Sequence, residues 1–344
     1  MRTTVFFATN RRLLGPGDKA ADYAGEQGPP GDPGKLLHAT AFVEGTDVAA
    51  QRTGRIASIQ HLAPGAFDAG VAQDLAGGRN LLIFLHGFAN GFTDAMTRAA
   101  FNREFLAASG LPAADCTVVA FSWPSRGRVI DPTSVAPGLV LAPLSVMLLA
   151  VGVVASPLAF AYQEDQRAAE ASAADLISVL DRMRPIAKQV RARGGRVFLL
   201  AHSMGNFLLQ TALDAWAKLG LPGERLFDEA FSVSADTGWS EKTGASPAWL
   251  QHLGKLSGRV HVHHSPTDKI LQLSTVVNSI KRLGESGPKD ILDAARYPSG
   301  RFRFVDCSVF PDTGPHQSID TSHQFYRRVP AVRDDLAKAM AGLL

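Results

Sequence analysis

Short apolar runs alternate along this chain with stretches of helical periodicity. Thr3–Phe7, closed by Ala8 and Thr9, is the first run; Leu81–Leu85, Cys116–Ser122, Val197–Leu200, Leu226–Ser234, Arg259–His263 and Arg301–Cys307 follow. Such runs, bounded by turn residues, read as strands buried on both faces. Thr93–Leu106, Glu164–Val190 and the closing Val332–Leu344 carry the helical period, as do Phe207, Leu208, Leu209, Ala212, Leu213 and Trp216. Strands alternating with helices predict an α/β, doubly wound fold, with a mostly parallel central sheet and helices on both faces. Residues 40–60 alternate loosely and read as peripheral strands. Residues 15–36, rich in Gly, Pro and Asp, read as an exposed loop.

The pattern converges on R-V-F-L-L-A-H-S-M-G-N, Arg196–Asn206. A buried strand runs into Ala201-His202-Ser203-Met204-Gly205, and an amphipathic helix follows. This is the strand–turn–helix of a nucleophile elbow, G-x-S-x-G, with Ala201 in place of the first glycine. Only small residues fit two positions either side of the serine, and alanine qualifies. The elbow lifts the Ser203 hydroxyl to the carboxyl end of the sheet and aims the Met204 N–H where an oxyanion would form. A plain strand-to-helix turn with Ser203 as N-cap is the competing reading; the flanking strand and helix favour the elbow.

Two loops at strand ends add candidates. Leu81–Leu85 ends in His86-Gly87-Phe88, where Gly87 lets backbone approach a substrate carbonyl. Cys116–Ser122 ends in Trp123, at the strand terminus where open α/β sheets bind ligands. His86, Gly87, Trp123 and His202 are therefore candidate pocket residues, with a buried core histidine and tryptophan as the plain alternatives.

A serine hydroxyl needs an imidazole to take its proton and a carboxylate to fix that imidazole's tautomer. In a fold built on such an elbow, the acid and then the histidine follow the serine. Asp268, after the Arg259–His263 strand, is the preferred acid; it could equally cap the helix that follows. Asp236 and Asp306 are the second and third choices. His323, in T-S-H-Q-F-Y, is the preferred base over His316. His261, His263 and His264 raise a metal reading, since H-x-H on a strand puts two imidazoles on one face. No other ligand follows at suitable spacing except Asp268, so a packed pair is preferred and no metal is assigned.

Pro132 to Gln163 holds no charged residue and is long enough to suggest a membrane span. Spanning would separate strands that must share one sheet, and Pro143 and Pro157 interrupt it. Three readings remain for the insertion at 128–163: an apolar cap or lid, a hairpin resting peripherally on a membrane, or a buried core helix.

Composition narrows partners more than fold. With 35 Lys and Arg against 32 Asp and Glu, the chain carries +3, which implies neither nucleic acid nor an acidic substrate. At 344 residues it can form one large domain, taken here as 1–344. Cys116 and Cys307 lie in apolar surroundings and read as buried free thiols. The N-terminus lacks the pattern of a signal peptide, so a cytoplasmic location, with membrane association left open, is the default.

V-F-F-A-T-N-R, F-L-H-G-F with Thr93-Asp94-Ala95, F-S-W-P-S-x-G, A-H-S-M-G-N, D-K-I-L-Q-L-S and S-H-Q-F-Y together resemble the α/β-hydrolases, in particular a bacterial branch of hydrolases of unknown function. The resemblance spans most of the chain. It implies the α/β-hydrolase fold, Ser203 as nucleophile, Asp268 as acid and His323 as base. The loop after Leu81–Leu85 would then donate a second oxyanion N–H, from Phe88. Two departures stand out. Ile270 replaces a usual small residue, and Pro132–Gln163 is longer and less polar than the family pattern. The expected function is a serine hydrolase, esterase- or lipase-like, cleaving a small-molecule carboxylic ester with an apolar, lipid-like acyl group and no cofactor. An acyltransferase or thioesterase with the same triad, and a non-catalytic membrane-associated scaffold, are the alternatives.

Overall fold

The computed structural model describes residues 2–27, 36–126, 157–314 and 319–344. The strands are β1 (Arg2–Thr9), β2 (Arg11–Leu13), β3 (Tyr23–Gln27), β4 (Leu37–Glu44), β5 (Arg55–Leu62), β6 (Asn80–Leu85), β7 (Cys116–Ser122), β8 (Val197–His202), β9 (Phe227–Val233), β10 (Ser257–His264) and β11 (Phe302–Asp306). The described helices are α1 (Pro64–Asp74), α2 (Phe92–Ala107), α3 (Pro157–Ala171), α4 (Ala173–Ala192), α5 (Met204–Leu219), α6 (Ala248–Leu256), α7 (Lys269–Asn278), the single turn α8 (Leu283–Ser286) and α9 (Pro330–Met340).

Nine strands form one sheet in the order β11-β10-β9-β8-β6-β7-β1-β4-β5. From β11 to β1 every pairing is parallel. β4 and β5 close one edge antiparallel, where the loose alternation of residues 40–60 predicts peripheral strands. β6 and β8 are buried along their whole length, which is why they read as continuous apolar runs. Their side chains alternate between layers. Leu81, Ile83 and Leu85 face the core under α1, α3, α4, α5 and α6, and Leu82 and Phe84 face the core under α2 and α9.

That division creates the site. The chain leaving β6 forms α2 on one face, and the chain leaving the neighbouring strand β8 forms α5 on the other. The loops at these two carboxyl ends part in opposite directions, opening the crevice where doubly wound sheets bind ligands.

Two expectations need correcting. Glu164–Val190 is not one helix: α3 and α4 meet at Ser172. The Ser172 hydroxyl donates to the Ala168 carbonyl at 2.7 Å and accepts from Asn10 Nδ2 at 2.9 Å, a local bond that competes with the helix ladder. Residues 15–36 are not all loop, because Tyr23–Gln27 pairs with Arg11–Leu13 in a separate two-stranded ribbon. Helices α1 and α6 have no counterpart among the sequence expectations. Cys116 and Cys307 are free and buried. Residues 127–156, most of the apolar insertion, lie outside the described residues, as does His316. Among the described residues no helix is long and apolar enough to cross a membrane.

Candidate active site

Ser203 stands between β8 and α5 with φ 55° and ψ −126°, a region in which a residue with a side chain is strained. The surrounding backbone holds it there. Its N–H donates to the Val233 carbonyl at 3.1 Å, and its carbonyl accepts from the N–H groups of Asn206 at 2.9 Å and Asp236 at 3.2 Å. Gly205 allows this packing, since a Cβ there would lie 2.7 Å from the carbonyl oxygens of both Leu85 and His86. Met204 is the first residue of α5, so its N–H has no intrahelical acceptor.

Asp268 and His323 meet across 55 residues of sequence. His323 Nδ1 lies 2.7 Å from Asp268 Oδ2. A carboxylate only accepts, so Nδ1 carries a hydrogen, and in the neutral ring the lone pair falls on Nε2. Asp268 also caps α7: its Oδ1 accepts from the N–H groups of Ile270 and Leu271, each at 3.1 Å. One oxygen of this aspartate therefore caps α7 while the other faces His323. The His323 backbone is pinned beside the elbow, because its carbonyl accepts from His202 Nε2 at 3.1 Å and from the Ser234 hydroxyl at 3.4 Å. The His202 ring packs on His323 at 4.7 Å and on Tyr326 at 4.6 Å. Burial and the adjacent His323 hold His202 well below the usual imidazole range, so it stays neutral with its hydrogen on Nε2.

The loop after β6 presses on the elbow. A Cβ on Gly87 would come within 2.7 Å of Ser203 Cβ and 3.1 Å of the His202 carbonyl oxygen. Asn90 Nδ2 donates to the carbonyls of Gly87 at 2.9 Å and Phe88 at 2.7 Å. In a trans peptide the C=O and N–H point opposite ways. Tying the Gly87 carbonyl to Asn90 therefore turns the Phe88 N–H away from that side, and no described residue accepts from it. His86 and Trp123 lie beneath the loop, wholly buried, with rings stacked at 5.0 Å and Trp123 Nε1 donating to the His86 carbonyl at 2.9 Å. Burial, aided by the Arg11 charge, pushes His86 down to about 3. The Phe88 ring meets Tyr162 edge-on at 5.4 Å.

The match to known families follows this geometry. A family described as alpha/beta hydrolase of unknown function (DUF900) matches residues 65–334. The chain belongs to this α/β-hydrolase family. The match takes in Phe88, Ser203, Asp268 and His323 and leaves out β1 to β5. Among solved structures, a hyperthermophilic esterase from the archaeon Pyrobaculum calidifontis is similar at 11% identity. It covers 90% of this chain and 82% of its own, with a TM-score of 0.35. EstE1, a thermophilic and thermostable carboxylesterase cloned from a metagenomic library, is similar at 14% identity, over 90% and 84%, also at 0.35. No curated protein matches.

The other candidates of this α/β hydrolase have separate work. Asp236 is buried in a polar cluster rather than on His323: it accepts from Arg282 Nε at 2.8 Å, from the Tyr162 hydroxyl at 2.8 Å and from the Ser274 hydroxyl. Asp306 caps a short turn through Ser308, at 2.9 Å to its N–H. His261 Nε2 meets Glu229 at 2.9 Å, and His263 Nε2 meets Asp335 at 3.0 Å, so each imidazole has its own carboxylate. Among the described residues no group of three or more His, Cys, Asp or Glu is placed to hold a metal ion. Sequence reasoning gave no role to Arg11, the last residue of V-F-F-A-T-N-R, although its buried guanidinium reaches the loop after β6.

Proposed function

We propose that the protein is a serine hydrolase that cleaves carboxylic esters through an acyl-enzyme. Ser203 attacks the ester carbonyl while His323 Nε2 takes its proton. The tetrahedral oxyanion accepts from the N–H groups of Met204 and Phe88. His323 then returns the proton to the leaving alcohol, and the C–O bond breaks. Water repeats the sequence on the acyl-enzyme, releasing the acid and free Ser203. Asp268 keeps the His323 hydrogen on Nδ1 and stabilises the imidazolium that forms.

The observation that carries this reading is the 2.7 Å contact of His323 Nδ1 with Asp268, on a histidine held through His202 beside the strained Ser203. An apolar acyl group is supported by the Phe88 and Tyr162 rings beside the elbow and by the charge-free sequence Pro132–Gln163. The test is turnover of p-nitrophenyl esters of increasing acyl length by the protein and by Ser203→Ala. Hydrolysis that rises from acetyl to longer chains and vanishes in the variant is expected. Equal turnover by both would overturn the reading. Adding an alcohol and analysing products separates hydrolysis from acyl transfer.

A further inference from the structure

The loop that carries Phe88 is held by groups far from it in sequence. Arg11 opens β2, yet it is only 2% exposed. Nε donates to the Ser122 hydroxyl at 2.9 Å, Nη1 to the carbonyls of Ser125 at 2.9 Å and Ala24 at 3.2 Å, and Nη2 to the Asn90 carbonyl at 3.0 Å. All four acceptors are neutral, and Asp165 and Asp94 act on the guanidinium through space. Burial pushes its pKa down to about 9, so it is still a cation at neutral pH. A charge buried among neutral acceptors is costly. What it supplies is a rigid fork of donors that no apolar residue can reproduce.

Asp165 on α3 grips the same segments from the other side. It is 1% exposed and accepts from the N–H groups of Ala89 at 3.3 Å and Arg126 at 3.1 Å and from the Ser125 hydroxyl. The Ser125 oxygen in turn accepts from the Asn90 N–H at 3.1 Å. Arg11 thus takes the carbonyls of Asn90 and Ser125, and Asp165 takes the neighbouring N–H groups. The two loops at the carboxyl ends of β6 and β7 are fixed between a cation and an anion. With Asn90 holding the carbonyls of Gly87 and Phe88, the Phe88 N–H is left as a donor with no described acceptor.

We propose that Arg11 is a positioning residue of the oxyanion site, acting with Asp165 to aim the Phe88 N–H at the charge that develops on the ester oxygen. This rests on the assignment of Ser203 and Phe88 made above. A donor of this kind meets full negative charge only in the transition state, so loosening it lowers kcat and leaves KM in place. Lysine keeps the charge but offers its donors from a single point. It cannot reach Ser122, Ser125 and Asn90 together.

The experiment compares Arg11→Lys and Ser125→Ala with the wild-type protein and Ser203→Ala. It measures kcat and KM on one p-nitrophenyl ester, together with the inhibition constants of an alkyl boronic acid and of the product carboxylate. The boronic acid forms a tetrahedral adduct on Ser203 and reports on the oxyanion site; the carboxylate does not. Arg11→Lys should lower kcat about 10- to 100-fold with KM changed less than about twofold. Boronate affinity should fall with kcat/KM and carboxylate affinity should stay. Ser125→Ala should move both in the same direction by less. Wild-type kcat in Arg11→Lys, or a loss of kcat without loss of boronate affinity, overturns the proposal. If Arg11→Lys does not fold, Ser122→Ala, which removes the acceptor of Arg11 Nε, decides by the same criteria. Turnover retained in Ser203→Ala would overturn the underlying assignment as well; wild-type kinetics in Arg11→Lys beside an inactive Ser203→Ala would overturn only the positioning role.

Discussion

Asp268 does two jobs through its two oxygens, and one substitution separates them. Oδ1 accepts from the N–H groups of Ile270 and Leu271 at 3.1 Å, and Oδ2 faces His323 Nδ1 at 2.7 Å. Asparagine caps a helix about as well as aspartate. In Asp268→Asn the amide oxygen keeps the cap, and the amide NH2 takes the place of Oδ2. Two donors cannot face each other, so the imidazole must move its hydrogen to Nε2. The nitrogen that should take the serine proton then carries one already. The wrong tautomer lowers kcat by about 10⁴, or roughly 5.4 kcal/mol of barrier. Stability should change by only about 1 kcal/mol, because one charged hydrogen bond becomes a neutral one. Asp268→Ala should lose as much activity and, with the cap gone, about 1 kcal/mol more stability. The assay is kcat on a p-nitrophenyl ester beside a urea denaturation midpoint for each variant. Asp268→Asn within about tenfold of wild type would refute the tautomer argument. An Asp268→Asn protein as unstable as Asp268→Ala would refute the division between the two oxygens.

Three further outcomes follow from the same geometry. Gly87→Ala places a methyl 2.7 Å from Ser203 Cβ, so loop and elbow must part, and kcat should fall about 100-fold; unchanged kcat in the folded variant contradicts the close approach. Arg282→Met strands the buried Asp236 carboxylate and should cost about 3–5 kcal/mol in urea unfolding, whereas near-native stability would mean that water reaches Asp236. Burial holds His86, His202, His261 and His263 below their unfolded value near 6.5. The unfolded chain therefore binds more protons below that pH, and stability, full above about 6.5, is lost as pH falls. With its folded value about 3, His86 alone should cost roughly 2 kcal/mol at pH 5 relative to pH 7; a flat stability profile between pH 7 and 5 would contradict the neutral buried ring.

The parts of this molecule that were legible in the sequence are those set by local pattern. β6 and β8 are buried on both faces, so their apolar runs are continuous and easily read. The elbow is legible because its packing demands small residues at Ala201 and Gly205, a constraint visible in a pentapeptide. Asp268 and His323 are placed by chain order and by strand ends, and the structure brings them into contact. The roles of Arg11 and Asp165 are different. Charged residues usually face solvent, and nothing near Arg11 in sequence says that its acceptors lie at residues 24, 90, 122 and 125. The break at Ser172 is hidden for a similar reason, since the apolar period runs on through it while its side chain bonds to Asn10, far upstream.

The central claim is that Ser203 is a nucleophile made reactive by His323 and Asp268. The most direct measurement is the intact mass of the protein after treatment with a fluorophosphonate, followed by peptide mapping, with Asp268→Asn and Ser203→Ala alongside. The account predicts one phosphonyl adduct located on Ser203, much slower labelling in Asp268→Asn and none in Ser203→Ala. An adduct elsewhere, or equal labelling of folded wild type and Asp268→Asn, would contradict it.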